Sequence, residues 1–154
     1  MPSMFESLLA EMGVTLPETA PPVANYVPFT QTGNTLYVSG QLPIWDGEMT
    51  KGRLGGTLSI EEGVAAARIC AVNLLAQVKA ACGGDLDRLQ KVVKLVGFVN
   101  STADFVDQPA VINGASDFMV EALGDVGRHA RSAVSAASLP FGVAVEIEGI
   151  FEIA

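Results

Sequence analysis

Arg131, Glu146 and Glu148 are the residues of this chain whose types and positions are best suited to chemistry. Arg131 lies in the apolar segment 130–134, and the two glutamates alternate with apolar residues in the segment that follows. Burying a guanidinium or carboxylate group costs free energy unless the group has a partner. Because the chain has only nine Lys and Arg residues, an arginine placed in an apolar strand is expected to have a function. Because a guanidinium group can bind a carboxylate through two parallel hydrogen bonds, the pattern predicts a pocket for a small molecule that bears a carboxylate.

The two glutamates belong to a predicted C-terminal strand at residues 143–153. Alternate side chains of a strand point to opposite faces, so Glu146, Glu148 and Glu152 share one face. A tight turn at residues 139–142 is expected to join this strand to the preceding one and to place small side chains and Arg131 opposite the glutamates. The glutamate face is interpreted either as an ordinary solvated surface or as one wall of the pocket.

Other residues give weaker signals. His129 is the only histidine, and beside two arginines it is more typical of a structural or surface residue than of a general base. Ser39 ends a predicted strand, but no histidine base with an orienting acid is evident for a catalytic triad. Trp45 either covers a pocket or packs locally. Cys70 and Cys82 are interpreted as small buried hydrophobic residues, because their spacing matches no zinc site.

The first 25 residues are predicted to form an N-terminal arm with a short helix. Four apolar residues between Phe5 and Met12 have the spacing of one helix face, and Gly13 is placed to end the helix. Residues 16–23 contain three prolines, which favours an extended connector. The rest of the chain, residues 26–154, is predicted to be a single domain.

Within that domain, hydrophobic patterns and turn residues predict five strands and two helices. The Ser59–Glu62 pair has the form of a capping box, so a long helix is expected from there to about Ala81. The other predicted elements are strands at 26–30, 35–39, 92–99, 129–138 and 143–153, and a helix at 109–123. The segment 44–56 is predicted to be a loop with room for one short edge strand. This order predicts an α+β fold, a two-layer sandwich of a mixed sheet with about six strands backed by two helices.

Composition restricts the possible functions. The chain is 49% hydrophobic and 17% charged, with a formal net charge of −8 and no Lys/Arg cluster. Because nucleic-acid binders usually carry a basic surface, a nucleic-acid partner is not expected, and an anionic membrane surface is disfavoured for the same reason. We expect a protein of the cytoplasm, since no apolar run of membrane-spanning length and no basic leader are evident. The low charged fraction leaves open that apolar surface is hidden in an oligomer.

The motifs, taken in order, resemble those of the Rid family of reactive intermediate deaminases, also called YjgF-like or L-PSP endoribonuclease proteins. Any one motif is weak, whereas the ordered set is specific and covers most of the chain. The matching pieces are Tyr-Val-Pro-Phe at 26–29, Leu-Tyr-Val-Ser-Gly-Gln-Leu-Pro at 36–43, Asn113, Ala-Arg-Ser at 130–132, Leu-Pro at 139–140 and Val-Glu-Ile-Glu at 145–148. The arm and the enlarged 44–58 loop resemble a longer-chain branch of the family.

This resemblance implies a fold, an assembly and an activity. The family fold is like that of chorismate mutase, and three subunits pack their sheets into a barrel with a ligand cleft at each subunit boundary. Characterised members hydrolyse 2-imino and 2-enamino acids to 2-oxo acids and ammonia, and they need no cofactor and no metal. The expected partners are therefore a small carboxylate-bearing substrate and two further copies of the chain.

The resemblance also implies roles for individual residues. Arg131 matches the arginine that holds the substrate carboxylate, and Glu146 matches the glutamate that orients the attacking water. The implied substrate-binding residues are Tyr26, Ser39, Gly40, Asn113 and Ala133. Two positions depart from the common pattern: His129 replaces a proline, and Ala133 replaces a cysteine, which excludes a thiol role there.

Three functions remain open from the sequence. A deaminase must lose rate when Glu146 is changed to Gln while its ligand affinity is largely kept. A non-catalytic trimer that binds small carboxylates or has a regulatory role would show changes in affinity only. RNA cleavage, the third, is disfavoured by the acidic charge and by the lack of a histidine pair.

Overall fold

The computed structural model of the chain describes residues 3–21 and 24–154, so part of the predicted 16–23 connector lies outside the described residues. The helices are α1 (Met4–Glu11), α2 (Ile60–Ala81) and α3 (Gln108–Leu123). The strands are β1 (Phe29–Thr32), β2 (Thr35–Gln41), β3 (Ile44–Trp45), β4 (Glu48–Met49), β5 (Leu89–Asn100), β6 (Ala130–Ala136) and β7 (Val145–Ile153). The predicted order of the main helices and strands is confirmed, with shifts at their ends, but the 44–56 segment forms the two strands β3 and β4 rather than a loop with at most one short edge strand.

A mixed sheet with strand order β1-β2-β7-β5-β6 forms one layer of the fold. Helices α2 and α3 cover one face of this sheet, which confirms the predicted α+β class. The main sheet has five strands rather than about six, because β3 and β4 pair only with each other. Asp46 and Gly47 connect these two short strands with positive φ angles of 52° and 78°, the backbone of a tight hairpin turn.

The expectation that a tight turn sets the last two strands side by side is wrong. Helix α3 is a crossover between β5 and β6, which makes these strands parallel neighbours. Strand β7 instead pairs antiparallel with the other edge of β5. The chain passes over the end of β5 on its way, where the amide of Asn100 donates to the carbonyl of Val143 at 3.1 Å and its backbone N–H to Ala144 at 2.9 Å. Arg131 and Glu146 are therefore two strands apart.

Helix α2 begins at the predicted capping box. The Ser59 hydroxyl accepts from the backbone N–H of Glu62 at 3.2 Å, and the Glu62 carboxylate accepts from that of Ser59 at 3.1 Å. The helix packs against α3, where Gly114 lies so close to the carbonyl of Val64 that a Cβ atom would overlap it. By length and composition alone, α2 could cross a membrane. This is weak evidence for a membrane span, because half of the apolar stretch is buried against other described residues and core helices pass the same test.

Helix α1 joins the hydrophobic core through Phe5 and Leu9, which are 5% and 1% exposed. Its predicted position is confirmed. The carboxylate of Asp87 accepts from the backbone N–H groups of Met4 at 2.7 Å and Phe5 at 3.0 Å, so a residue of the main domain holds the first turn of the arm helix.

Candidate functional site

A cleft of about 990 Å³ opens where β2 ends and β7 begins. We call it the Glu146 cleft and define it by Tyr26, Ser39, Gly40, Trp45, Phe141 and Glu146. Residues 17–21 of the arm and the β3–β4 hairpin complete its wall. The hairpin is held in place by Asn73 of α2, whose amide donates to the carbonyls of Leu42 and Ile44, both at 3.0 Å. Both segments that lengthen this chain therefore border the same cleft.

Glu146 projects from β7 toward the backbone of Gly40 on β2. A Cβ atom at position 40 would lie 2.8 Å from Cδ and 2.9 Å from Oε2 of Glu146, so only glycine leaves room for the carboxylate there. Burial raises the pKa of Glu146, and the charge of Glu148 raises it further. No cationic side chain among the described residues forms an ion pair with Glu146. The carboxylate is thus poised to accept a proton.

Ser39 has a structural hydrogen bond at the edge of the cleft. Its hydroxyl donates to the carbonyl of Pro28 at 3.0 Å, and its backbone N–H donates to the same oxygen at 2.9 Å. These bonds connect the end of β2 to the residue before β1. Strand β1 begins at residue 29, later than predicted, because Pro28 has no N–H to donate to a sheet. The hydroxyl oxygen can still accept a hydrogen bond from a ligand.

Three aromatic side chains form the exposed wall of the Glu146 cleft. Tyr26, Trp45 and Phe141 are 60%, 47% and 69% exposed. Trp45 therefore lines the cleft, one of its two alternatives. Phe141 has a left-handed backbone with φ of 59°, which costs free energy in a residue other than glycine and often marks a functional site. Sequence reasoning missed Phe141, although a large apolar residue between Pro140 and Gly142 in a turn was a usable signal.

A second group of polar residues surrounds Arg131 on the helix side of edge strand β6. We call it the Arg131 cluster and define it by Asn113, Ser116, His129 and Arg131. Nη1 of Arg131 donates to Oδ1 of Asn113 at 2.8 Å and to the Ser116 hydroxyl oxygen at 3.2 Å. Ser116 was missed from the sequence, although it lies three residues after Asn113 and so on the same face of α3.

His129 completes the Arg131 cluster. Its Nε2 lies 2.9 Å from the Ser116 oxygen and its Nδ1 lies 2.6 Å from the carbonyl oxygen of Gly127. Burial lowers the pKa of His129; the Gly127 hydrogen bond opposes this effect, while the charges of Arg131 and Lys91 add to it. The lowered pKa favours the neutral imidazole, and both of its ring nitrogens already have hydrogen-bond partners within the protein, which agrees with a structural rather than a basic role.

The structure brings the predicted site residues together in two sets. Tyr26, Ser39, Gly40 and Glu146 share the Glu146 cleft, whereas Asn113 and Arg131 bond to each other in the Arg131 cluster. Ala133 is two residues after Arg131 on the same face of β6 and packs against the core. Register explains the separation: Arg131 pairs with buried Leu95 and faces the helices, while Glu146 pairs with Phe98 and faces the open side of the sheet.

The two sets differ in charge. The charged residues in the described lining of the Glu146 cleft are Glu18, Asp46 and Glu146, all acidic. A carboxylate ligand in this cleft would need a cation from elsewhere. Within residues 3–21 and 24–154, no group of three or more His, Cys, Asp or Glu side chains is arranged to hold a metal ion.

Residues 6–148 match the family described as "YjgF/chorismate mutase-like, putative endoribonuclease". This match extends over most of the chain. The protein therefore belongs to the YjgF/chorismate-mutase-like family, and the resemblance seen in its motifs is confirmed.

The chain is also similar to individual proteins. Protein TCP17 of Trypanosoma cruzi is 50% identical over 147 residues, which cover 94% of this chain and 91% of that protein. A crystal structure of an Agrobacterium tumefaciens protein of unknown function is 52% identical, with a TM-score of 0.92 and coverage of 97% of this chain and 92% of that one. A Shewanella oneidensis structure named a "putative endoribonuclease" is 34% identical, with a TM-score of 0.92 and coverage of 97% and 99%.

Proposed function

We propose that the protein hydrolyses reactive 2-imino and 2-enamino acids to 2-oxo acids and ammonia at a cleft shared by neighbouring subunits of a homotrimer. Arg131 of one subunit holds the substrate carboxylate, and Glu146 of the next orients and deprotonates water. The main support for this proposal is that the Glu146 cleft and the Arg131 cluster, the two half-sites, each lack the charged group that the other provides. The Glu146 cleft has a carboxylate but no cation in its described lining, and Arg131 lies two strands away on the opposite face of the sheet.

The chemistry asks little of the protein beyond positioning and one proton carrier. Glu146 accepts a proton from water as the water oxygen bonds to C2, and the electron pair of the C=N bond passes to nitrogen, which takes that proton back from Glu146. Glu146 then transfers the proton of the new hydroxyl to the same nitrogen, so that the C–N bond breaks, ammonia leaves and the oxygen becomes the 2-oxo group. One imine and one water give one 2-oxo acid and one ammonia. A raised pKa suits Glu146 to this cycle, because the carboxylate is basic enough to take the proton and acidic enough to return it.

The open face of the sheet supports the trimer. Its neighbouring strands present Val134, Phe98 and Glu146 in one row and Tyr37 beside Ile150 in another. Tyr37 and Val134 are 47% and 45% exposed. A sheet face that mixes exposed apolar side chains with glutamates is typical of an interface between subunits. We expect a mass of about three times 16.0 kDa by light scattering, and a monomer would contradict the shared cleft.

The first experiment measures 2-oxo acid release from imines that an amino-acid oxidase generates in the cuvette. We expect Arg131→Ala and Glu146→Gln each to lose most of the acceleration. Arg68→Ala removes a cation that contacts Glu121 and Phe118 away from both half-sites, so it serves as the charge-matched control. No acceleration by the wild type with any imine would refute the proposed hydrolysis.

Glu148→Gln is the matched control for Glu146→Gln, because Glu148 is on the same strand and face. Its neutralisation removes one cause of the raised pKa of Glu146. We therefore expect the Glu148→Gln enzyme to keep its rate at neutral pH and to lose it at a lower pH than the wild type does on acidification. An unchanged acidic limb would show that Glu146 is not the group whose ionisation sets the rate.

A mixing experiment tests whether two subunits build one cleft. Co-expression of Arg131→Ala and Glu146→Gln chains in equal amounts gives trimers in which about one quarter of the boundaries carry both intact residues. We expect about a quarter of the wild-type activity from two parents that are each nearly inactive. Mixed trimers as inactive as the parents would show that Arg131 and Glu146 do not act together across a boundary.

The other functions make different predictions. A non-catalytic trimer would bind 2-oxo acids through Arg131 without turnover, and Glu146→Gln would change affinity only. RNA cleavage, which the names of relatives suggest for those proteins, has less support here, because the net charge is −8 and the described cleft lining lacks Lys and Arg.

A further inference from the structure

His129 and Ser116 form a chain of hydrogen bonds that ends on Arg131. The carbonyl oxygen of Gly127 can only accept, so the hydrogen of the 2.6 Å contact must be on Nδ1 of His129. In the neutral ring Nε2 is then the acceptor, and the Ser116 hydroxyl must donate to it over 2.9 Å. The Ser116 oxygen keeps its lone pairs for Nη1 of Arg131 at 3.2 Å. In the neutral ring, the Gly127 carbonyl therefore fixes the direction of every bond in this chain.

Asn113 completes the arrangement at the guanidinium group. Nη1 carries two hydrogens, and Asn113 and Ser116 each accept from this nitrogen. With Nη1 occupied, the edge formed by Nε and Nη2 is the one that can bind both oxygens of a carboxylate. Because Nη1 is already held by two hydrogen bonds, the Arg131 side chain has less rotamer freedom to lose when a ligand binds.

We propose that His129, as the Nδ1–H tautomer, is a positioning residue that acts through Ser116 to orient Arg131 with its Nε–Nη2 edge toward the substrate carboxylate. This inference deepens the proposed function, because it depends on Arg131 as the carboxylate-binding group. It holds for the hydrolase and for the binding alternative alike. His129 departs from the family motif in the sequence, and the proposed orientation of Arg131 assigns a role to this departure.

The surroundings of His129 favour its neutral form. Arg128 precedes it in the chain, Arg131 follows it on β6, Lys91 acts on it from β5, and Asp117 of α3 lines the same surface depression. Three of these four groups are cationic. A protonated ring would place another positive charge beside Arg131, so burial and the neighbouring cations favour the neutral form, in which Nε2 accepts from Ser116.

The first test needs no ligand. His129 is the only histidine, so the two ring nitrogens seen by NMR of the nitrogen-15-labelled protein belong to it without further assignment. We expect protonated-type Nδ1 and unprotonated-type Nε2 at pH 7.5, the opposite of the tautomer that free histidine prefers in water. A ring protonated at Nε2 would overturn the inference.

The second test measures the affinity for pyruvate, a 2-oxo acid probe, by calorimetry. We expect His129→Leu and Ser116→Ala to raise Kd about five- to tenfold, as the loss of one hydrogen bond in the chain would. His129→Gln, which can still accept from Ser116, should stay near the wild type. Ser7→Ala is the control for removal of a hydroxyl, since Ser7 is exposed on α1 and its hydroxyl bonds only to the Ser3 carbonyl among the described residues. Equal affinities for His129→Leu, Ser116→Ala and the wild type would overturn the inference.

A double-mutant comparison separates positioning from a general loss of structure. Arg131→Lys keeps the charge but has no Nη1 for Ser116 to orient, so adding His129→Leu to it should leave Kd unchanged. A further five- to tenfold loss in that background would mean that His129 acts on the fold and would overturn the inference. A wild type that binds pyruvate but hydrolyses no imine would refute the hydrolase while the inference stands, and a wild type that binds no pyruvate would refute both.

Discussion

The contact between Gly40 and Glu146 allows a test of the site that leaves the fold intact. In Gly40→Ala the new Cβ would lie 2.8 Å from Cδ and 2.9 Å from Cγ and Oε2 of Glu146. Ordinary contact begins at 3.4 Å, so the carboxyl group must retreat by about 0.6 Å. The atoms in the way are the end of a half-exposed side chain and can move, while the backbone of position 40 has no positive φ that would strain an alanine.

We therefore expect activity and stability to respond differently to Gly40→Ala. A misplacement of this size at the water-orienting group should lower kcat/KM for imine hydrolysis by about 10- to 100-fold. The free energy of unfolding should change by less than about 1 kcal/mol, because alanine restricts the unfolded chain more than glycine does and offsets the crowding. The assays are oxidase-coupled imine hydrolysis, chemical denaturation, and light scattering to verify that assembly is unchanged.

Gly56→Ala is the matched control. A Cβ at position 56 would meet nothing closer than the Arg53 carbonyl oxygen at 3.5 Å, so both rate and stability should stay near the wild type. A Gly40→Ala protein with the full wild-type rate would refute the reasoning, since the carboxylate position would then be immaterial. A rate loss matched by an equal loss of folded trimer would refute it too.

Three further predictions concern stability. Gly114→Ala should lower the free energy of unfolding by about 1–3 kcal/mol or more in urea denaturation, because the new Cβ overlaps the Val64 backbone between α2 and α3 and neither helix can give way locally. Glu146→Gln should raise Tm at pH 7.5, because burial and then Glu148 raise the folded-state pKa of this carboxyl; the penalty exists above that pKa and vanishes below the ordinary 4.5, so the Tm gain should disappear in acid. Asp87→Ala should cost about 0.5–2 kcal/mol and speed proteolysis of the arm, because it removes the acceptor at the start of α1. Burial raises the pKa of Asp87, but those backbone hydrogen bonds outweigh it, so this stabilisation is lost as the pH falls through the lowered pKa.

Local signals in the sequence were sufficient for the helices. The Ser59–Glu62 capping box and the glycines after Ala81 bound α2 within one or two residues, because caps depend on hydrogen bonds between residues close in the chain. The apolar stripe beginning at Phe5 located α1 for the same reason. The α+β class followed from the order of such elements, since helices and strands that alternate in this way have few ways to share a core.

The sequence could not decide which strands are neighbours. A turn between residues 136 and 145 is compatible with a hairpin of β6 and β7. The crossover through α3 instead pairs β6 with one edge of β5, and β7 pairs with the opposite edge of β5. That arrangement settles the site: it divides the motif residues between the Glu146 cleft and the Arg131 cluster.

The main helices and strands, the family motifs and the residue types able to bind a carboxylate and to move a proton could be predicted from the sequence, because these depend on neighbours along the chain. The folded chain was needed to show that Gly40 makes room for Glu146, that Phe141 and Trp45 border the same cleft, and that His129 reaches Arg131 through Ser116. These contacts join residues from different strands, helices and loops. Their geometry follows from the register of the whole sheet, which no single stretch of sequence specifies.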